Sequence, residues 1–244
     1  MAMNEPFDWR RYDRRLFAAA AVLFPILIVI GFARTFYLKF AFDTPPLRST
    51  LVVAHGLVMT LWVLLFIAQV WLIRTKNHRT HMKLGMLGIA LAIVVLVSGF
   101  FTAVGGAKFG TAITPNDPPP LQFLAVPFFD LVVFAILFTA AIVRRKRPAD
   151  HKRLMLLTAI GFLPPALGRF PVDALLNAGP PFFFGVPAAI ALGVLAVDTW
   201  RNRKLNVPFL IGSIILIASY PLRLMLMETQ PWLTFATWLT TWAA

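Results

Sequence analysis

The long apolar runs of this chain constrain its fold more than any other feature. Several of them reach the ~20 residues that a helix needs to cross a hydrocarbon layer about 30 Å thick. Hydrophobic residues make up 59% of the 244 positions and charged residues only 14%, whereas about a quarter of a soluble domain is charged. A water-soluble core of this size would not bury so much apolar surface. The sequence therefore predicts an all-α, polytopic membrane helical bundle.

Seven transmembrane helices are predicted within a membrane domain that covers residues 16–227. The predicted crossings are residues 16–36, 50–73, 82–104, 121–143, 154–170, 181–197 and 207–227. Residues 1–15 are polar and form a short arm before the first crossing, which is expected to remain as an anchor. Residues 228–244 are rich in tryptophan at helical spacing, which predicts a short helix lying in the membrane interface.

The distribution of Lys and Arg predicts the orientation of these crossings. Of the 23 Lys and Arg residues, 17 lie in the N-terminal arm and in the turns after the second, fourth and sixth crossings. Because cytoplasmic loops collect positive charge, the N-terminus is predicted inside and the C-terminus outside. The expected location is a bacterial cytoplasmic (inner) membrane, with a cytoplasmic arm and a periplasmic tail. The Lys and Arg side chains that give the net charge of +13 are then expected to contact anionic lipid headgroups and not nucleic acid.

Missing residue types exclude several functional classes. The chain has no cysteine, which excludes disulfides, iron–sulfur clusters and covalently attached c-type haem. The seventh predicted crossing has no lysine that could form a retinal Schiff base. A single histidine, His55, lies deep in a predicted crossing. A catalytic zinc site needs about three nitrogen or oxygen ligands at one place, so such a site is not expected.

Polar and ionisable residues gather toward the periplasmic half of the predicted bundle. Inside a membrane such residues are costly and usually mark a ligand site or an ion pathway. Two interpretations stay open: a pocket for a small or transported ligand, and Asp–Arg ion pairs that only fix helix packing. The candidate residues are His55, Asp130, Arg169, Asp173, Tyr220 and Arg223.

Two further histidines lie at the predicted cytoplasmic end. His81 and His151 each stand in the first turn of a helix, with His78 close to the first of them. Surrounded by Arg and Lys, these three side chains are placed to contact lipid headgroups. Alternatively, if the third and fifth crossings are neighbours, His81 and His151 face each other across haem b. Such a site needs two neutral imidazoles, apolar walls and cations for the propionates. The candidate cofactor-binding residues are thus His55, His81 and His151, with haem iron between the last two.

Two stretches resemble the cytochrome b561 family. HGLVMTLW at residues 55–62 resembles the "HG..M..W" opening of that family's core, and HMKLG at residues 81–85 resembles its "H..LG" opening of a later helix. The resemblance implies a haem-binding bundle that passes electrons across a membrane, with paired histidines and one haem near each face. Here the fourth crossing offers Asp130 and no histidine to pair with His55. An outer haem would need another ligand, such as a methionine, or would be absent.

The whole chain also resembles a family of uncharacterised bacterial multi-pass membrane proteins. The likeness lies in the "HG…W…Q" helix that begins at residue 50 and in HKRLMLL at residues 151–157. The resemblance to this family does not indicate an activity.

Three functions are consistent with these residues. The first is a redox protein with a b-type haem or quinone site. The second is a transporter or small-ligand protein, favoured by the Pro164-Pro165 break in the fifth crossing, because broken helices line such cavities. The third is an accessory subunit that docks on a membrane-protein partner or forms a homo-oligomer.

Overall fold

The computed structural model describes residues 9–242 except 43, 45, 46, 48 and 111–117, and for residues 9–14 it describes the backbone alone. Most of the predicted polar arm and the last two residues of the tail thus lie outside the described residues. All secondary structure in the described residues is helical. The α-helices are α1 Trp9–Phe32, α2 Thr50–Arg74, α3 His78–Phe109, α4 Pro120–Phe123, α5 Ala125–Val143, α6 Pro148–Gly161, α7 Pro164–Leu167, α8 Asp173–Leu176, α9 Pro180–Phe183, α10 Gly185–Asn202, α11 Val207–Leu226 and α12 Gln230–Thr240.

Six helical segments are long and apolar enough to cross a membrane, counted over the described part of the chain. They are Arg15–Tyr37, Thr50–Arg74, His78–Phe109, Pro120–Val143, Pro180–Asn202 and Val207–Leu226. The chain is therefore an all-α, multi-pass membrane protein. The segment predicted as a fifth crossing is not among the six, since α6 has only 14 residues.

The shortness of α6 has a local cause. Two prolines, Pro164 and Pro165, follow its last residue, Gly161, at a distance of three and four positions. Proline lacks the backbone N–H that a continuing helix needs, so the chain breaks and restarts as α7. Seven residues of α6 between Arg153 and Ile160 are buried, and they cover every side of the helix. α6 therefore runs through the interior of the bundle, in contact with α5, α10 and α11.

Two short turns define one end of the bundle. The side chain of Asn77 accepts a hydrogen bond from Thr80 N (3.1 Å) and caps α3 directly after α2 ends. α5 and α6 are joined by the basic turn at residues 144–147. The turn between α10 and α11 lies at this end too, because Asn206 donates to Asp150 Oδ1 (2.7 Å). We call this end the basic end and its opposite the far end.

At the far end, α12 folds back onto the bundle. Trp232 Nε1 donates to the carbonyl oxygen of Leu121 (3.0 Å), and the ring of Trp242 lies 6.3 Å from that of Phe100 on α3. Ala236, between the two tryptophans, is completely buried. A helix is thus confirmed in the Trp-rich tail. One of its faces is covered by α3 and α4.

Candidate functional site

One face of α2 carries His55, Trp62 and Gln69 at a spacing of seven residues and lies against α3 and α5. His55 Nδ1 lies 3.0 Å from the hydroxyl of Ser98. Two turns on, Trp62 is 4% exposed and packs edge-on against Phe134 of α5. Near the basic end, the side-chain nitrogen of Gln69 lies 3.6 Å from the position that a Cβ on Gly85 would occupy. The three residues therefore share one face, as their spacing of seven predicts.

His81 and His151 occupy equivalent positions at the basic end. Each is the fourth residue of its helix, α3 and α6 respectively. His78, at the first position of α3, is exposed at the same end. His151 Nδ1 lies 2.9 Å from the carbonyl oxygen of Ala141. Because a carbonyl only accepts, Nδ1 carries the hydrogen, and in the neutral tautomer that this bond selects, Nε2 has the free lone pair.

Among the buried polar atoms at this end that have no hydrogen-bond partner within the described residues are Nδ1 of His81 and Oε1 of Gln69; Oγ1 of Thr199, near the end of α10, is another. Gln69 and His81 are neighbours, because the main-chain carbonyl of Gln69 forms a hydrogen bond with the His81 ring. Buried polar atoms are nearly always paired, so an unpaired one calls for an explanation, and a ligand that completes the site is one such explanation. We call Gln69, His81 and His151 the imidazole cluster.

The donor set of this cluster suits haem better than a bare metal ion. No group of three His, Cys, Asp or Glu residues able to hold a metal is found within the described residues. Haem iron needs only two axial ligands from the protein, and two imidazoles on separate helices would provide them. The ring of His151 is held through its other nitrogen by a carbonyl, which is how ligating histidines are usually oriented.

The far half of the bundle holds a buried ion pair between α5 and α11. Arg223 is completely buried and forms a charge-assisted hydrogen bond with Asp130. The same nitrogen, Nη1, also donates to the carbonyl of Val126 (3.2 Å), while Nη2 donates to Ser219 Oγ (2.9 Å) and Nε to the carbonyl of Ser219 (3.1 Å). The ring of Tyr220 lies 5.2 Å from the guanidinium carbon. The structure thus brings together Asp130, Tyr220 and Arg223, three of the six predicted pocket residues.

The other three have contacts of their own. The Ser98 hydroxyl donates to the carbonyl of Val94 (2.6 Å) and therefore accepts from His55. Arg169 donates to the carbonyl of Pro165 (2.7 Å) and covers the ring of Phe32 at 5.0 Å, beside the α7 break. Asp173 is exposed at the start of α8.

A second buried ion pair was missed by sequence reasoning. Arg153 Nε and Nη2 donate to the two carboxylate oxygens of Asp198 at 2.9 and 2.7 Å, which ties α6 to α10. Asn202 also donates to Asp198 Oδ1 (3.1 Å). The one sequence signal was an aspartate directly after the apolar run of residues 181–197. Arg153 itself was counted with the basic turn that sets orientation.

No family model matches this sequence, and no curated protein or solved structure is significantly similar to it. The chemistry of the side chains at the two ends of the bundle therefore carries the functional argument.

Proposed function

We propose that this chain is a redox protein that holds one b-type haem between His81 and His151 and moves electrons within or across the membrane. The observation that supports the proposal is that two imidazoles stand at the same position of two helices, α3 and α6, at one end of the bundle, with one of them oriented by a carbonyl. A haem bound there would supply one-electron chemistry. The same end carries the basic turn at residues 144–147, whose cations would neutralise the propionates.

The protein's own contribution is to fix the ligand nitrogens. The carbonyl of Ala141 holds Nδ1–H of His151, so the free Nε2 is presented in a single tautomer. Ala141 belongs to α5, which packs against α6 along its length. A rigid acceptor on one helix and a ligand on the next would keep the ring orientation constant when the charge at the iron changes.

The far-end ion pair gives less support to a transport function. Arg223 and Asp130 form an ion pair, and the other guanidinium nitrogens donate hydrogen bonds to the main-chain and side-chain oxygens of Ser219. A ligand would have to displace these bonds in order to bind. The pair is better explained as a link between α5 and α11.

We also propose seven crossings, with the N-terminus in the cytoplasm of a bacterial cell and the tail on the periplasmic side of its inner membrane. The fifth crossing would be α6 together with α7. Lys152, near the start of α6, lies over the ring of Phe17 at 6.0 Å, and Ala166 of α7 touches Gly31 near the end of α1. The segment from 148 to 167 thus accompanies α1 from the basic end to the far end.

The visible spectrum of the protein tests the haem proposal. Protein purified in mild detergent from haem-replete cells is expected to show a Soret band and about one haem per chain. His81→Ala and His151→Ala are each expected to abolish the band, because either change removes an axial ligand. His78→Ala is the matched control, since His78 is exposed at the same end.

A colourless wild-type protein would contradict the proposal. So would an undiminished Soret band in the His81→Ala and His151→Ala variants. Size-exclusion chromatography in the same detergent distinguishes loss of haem from loss of fold.

A further inference from the structure

A groove lies between α5, α6 and α11, in the half of the bundle toward the basic end. It encloses about 60 Å³ and is open on one side. One face of each of two helices forms most of its walls, and every wall residue but one arginine is apolar. α5 and the residue after it contribute Ile136, Ala140 and Arg144, and α11 contributes Pro208, Ile211 and Ile215. We call this space the α5–α11 groove.

The α5–α11 groove runs along the helices, from the basic end toward the middle of the bundle. α5 ends at the basic end and α11 begins there, so Arg144 lies at the same end of the groove as Pro208. The eight residues from Ile136 to Arg144 span about 12 Å at ~1.5 Å per residue. Ile136 and Ile211 are 45% and 51% exposed, so the open side of the groove faces hydrocarbon. Apolar spaces of this kind are filled by hydrocarbon and not by water.

The floor of the groove is tightly packed. A Cβ on Gly212 would lie 2.7 Å from a methyl of Leu157, 3.0 Å from one of Leu154 and 3.1 Å from one of Leu137. These three leucines are at most 2% exposed. The three helices are therefore already in contact beneath the groove, and its volume cannot be removed by bringing them closer together.

Arg144 is a cation without a protein partner at the mouth of the groove. Its side chain is half-buried, and within the described residues its guanidinium has no hydrogen bond and no ion pair. The carboxylate of Asp150, in the first turn of α6, accepts from Asn206 (2.7 Å). An arginine at this position can lay its apolar stem along the groove and keep its charge at headgroup depth. A guanidinium there is suited to bind a phosphate group through two parallel hydrogen bonds.

We propose that the α5–α11 groove binds one acyl chain of an anionic phospholipid, taken from the leaflet at the basic end, and that Arg144 binds its phosphate. The chain and the phosphate match the apolar walls and the cation that the groove presents. Arg145, Lys146 and Arg147 follow directly in the basic turn. This positive surrounding favours a headgroup of net negative charge over a zwitterionic one. The inference is independent of the proposed haem, since the other three cations of the turn remain for its propionates.

Native mass spectrometry tests the headgroup part of this proposal. The protein is exchanged into micelles that contain equal amounts of phosphatidylglycerol and phosphatidylethanolamine with identical acyl chains. We expect one retained lipid per chain and about a fivefold preference for phosphatidylglycerol, as one cation at a membrane surface provides. Arg144→Gln is expected to abolish that preference. Arg147→Gln is the matched control, because Arg147 is exposed in the same turn and does not line the groove, and it should keep the preference.

A second pair of variants tests the groove itself. Ala140→Phe places a ring inside the groove and is expected to remove the retained lipid, whichever headgroup it carries. Thr139→Phe adds the same ring at an exposed neighbouring position outside the groove and should leave lipid retention unchanged. Size-exclusion chromatography shows whether each variant is folded, and Arg144→Gln decides the matter if Ala140→Phe does not fold.

Three results would each overturn the proposal. The first is a wild-type protein that retains no lipid or shows no headgroup preference. The second is an equal loss of preference in Arg144→Gln and Arg147→Gln, which would assign the effect to the diffuse charge of the turn. The third is full lipid retention in a folded Ala140→Phe variant.

Discussion

The Asp130–Arg223 pair shows how one buried charge depends on another. Arg223 has no exposed surface, and Asp130 is 9% exposed. Taking one ion into a low-dielectric interior is costly, and the attraction between the two offsets that cost only while both are present. Removing one partner therefore does more damage than replacing both with apolar side chains of similar volume.

Arg223→Met is expected to destabilise the protein by about 3–5 kcal/mol, because it strands the Asp130 carboxylate. The double change Asp130→Leu with Arg223→Met is expected to recover most of that loss. Denaturant unfolding in detergent micelles measures both variants. Asp173→Asn, at an exposed carboxylate, should leave the midpoint unchanged. A double variant no more stable than Arg223→Met would refute this account.

Individual residues also show where sequence reasoning stops. The sequence places His81 and His151 in the first turns of two helices, and that placement is confirmed. Pairing is a tertiary property, so Asp130 was left with two possible arginine partners, and Arg223 is the one observed. The bond of Arg153 to Asp198 was missed because its sequence neighbourhood is basic, like a solvated turn.

At the scale of elements, the α1–α7 contact depends on one glycine. Gly31 faces the main chain of Ala166, and a Cβ on Gly31 would clash with its carbonyl. The neighbour is backbone, so it cannot swing aside as a flexible side chain would. The break after α6 brings this backbone against α1.

Gly31→Ala is therefore expected to lower stability by about 1–3 kcal/mol, as overpacking typically does. Gly193→Ala on α10 is the control, because a Cβ there meets nothing within 4 Å. That change should be neutral or stabilising by up to about 1 kcal/mol through helix propensity. Thermal unfolding in detergent compares the two. If the two substitutions changed the unfolding temperature equally, the contact between Gly31 and Ala166 would not be tightly packed.

Helix boundaries were predictable wherever the apolar pattern coincided with a capping residue. α2, at Thr50–Arg74, matches the prediction of residues 50–73 within one residue, and Ser49 caps it. α3 begins at His78, four residues before the predicted crossing. The difference arises because residues 78–81 are polar but helical, capped by Asn77. Hydropathy reports which residues are apolar and gives no sign of a helix that extends beyond the hydrocarbon.

For the whole molecule, the number of crossings is the property most open to test. The chain contains no cysteine, so single cysteines can be introduced as unique labelling sites. Lys146→Cys lies in the basic turn before α6, and Asn177→Cys lies after α8; both positions are exposed. With seven crossings, a membrane-impermeant maleimide added to intact cells whose outer membrane is permeabilised should label the second site and reach the first only after lysis.

Lys76→Cys, in the other turn of the basic end, is the control and should behave as Lys146→Cys does. Labelling of residues 146 and 177 from the same side would show that α6 and α7 do not cross, and would leave six crossings.

The backward fold of α12 has a consequence for the order of assembly. This helix covers Val104 of α3, Leu124 and Ala125, all of which are synthesised more than a hundred residues earlier. Until α12 has been synthesised, the surface formed by Val104, Leu124 and Ala125 lacks the helix that covers it. The far end of the molecule is therefore the last part to be completed. A chain truncated before Gln230 would lack the helix that covers this apolar surface.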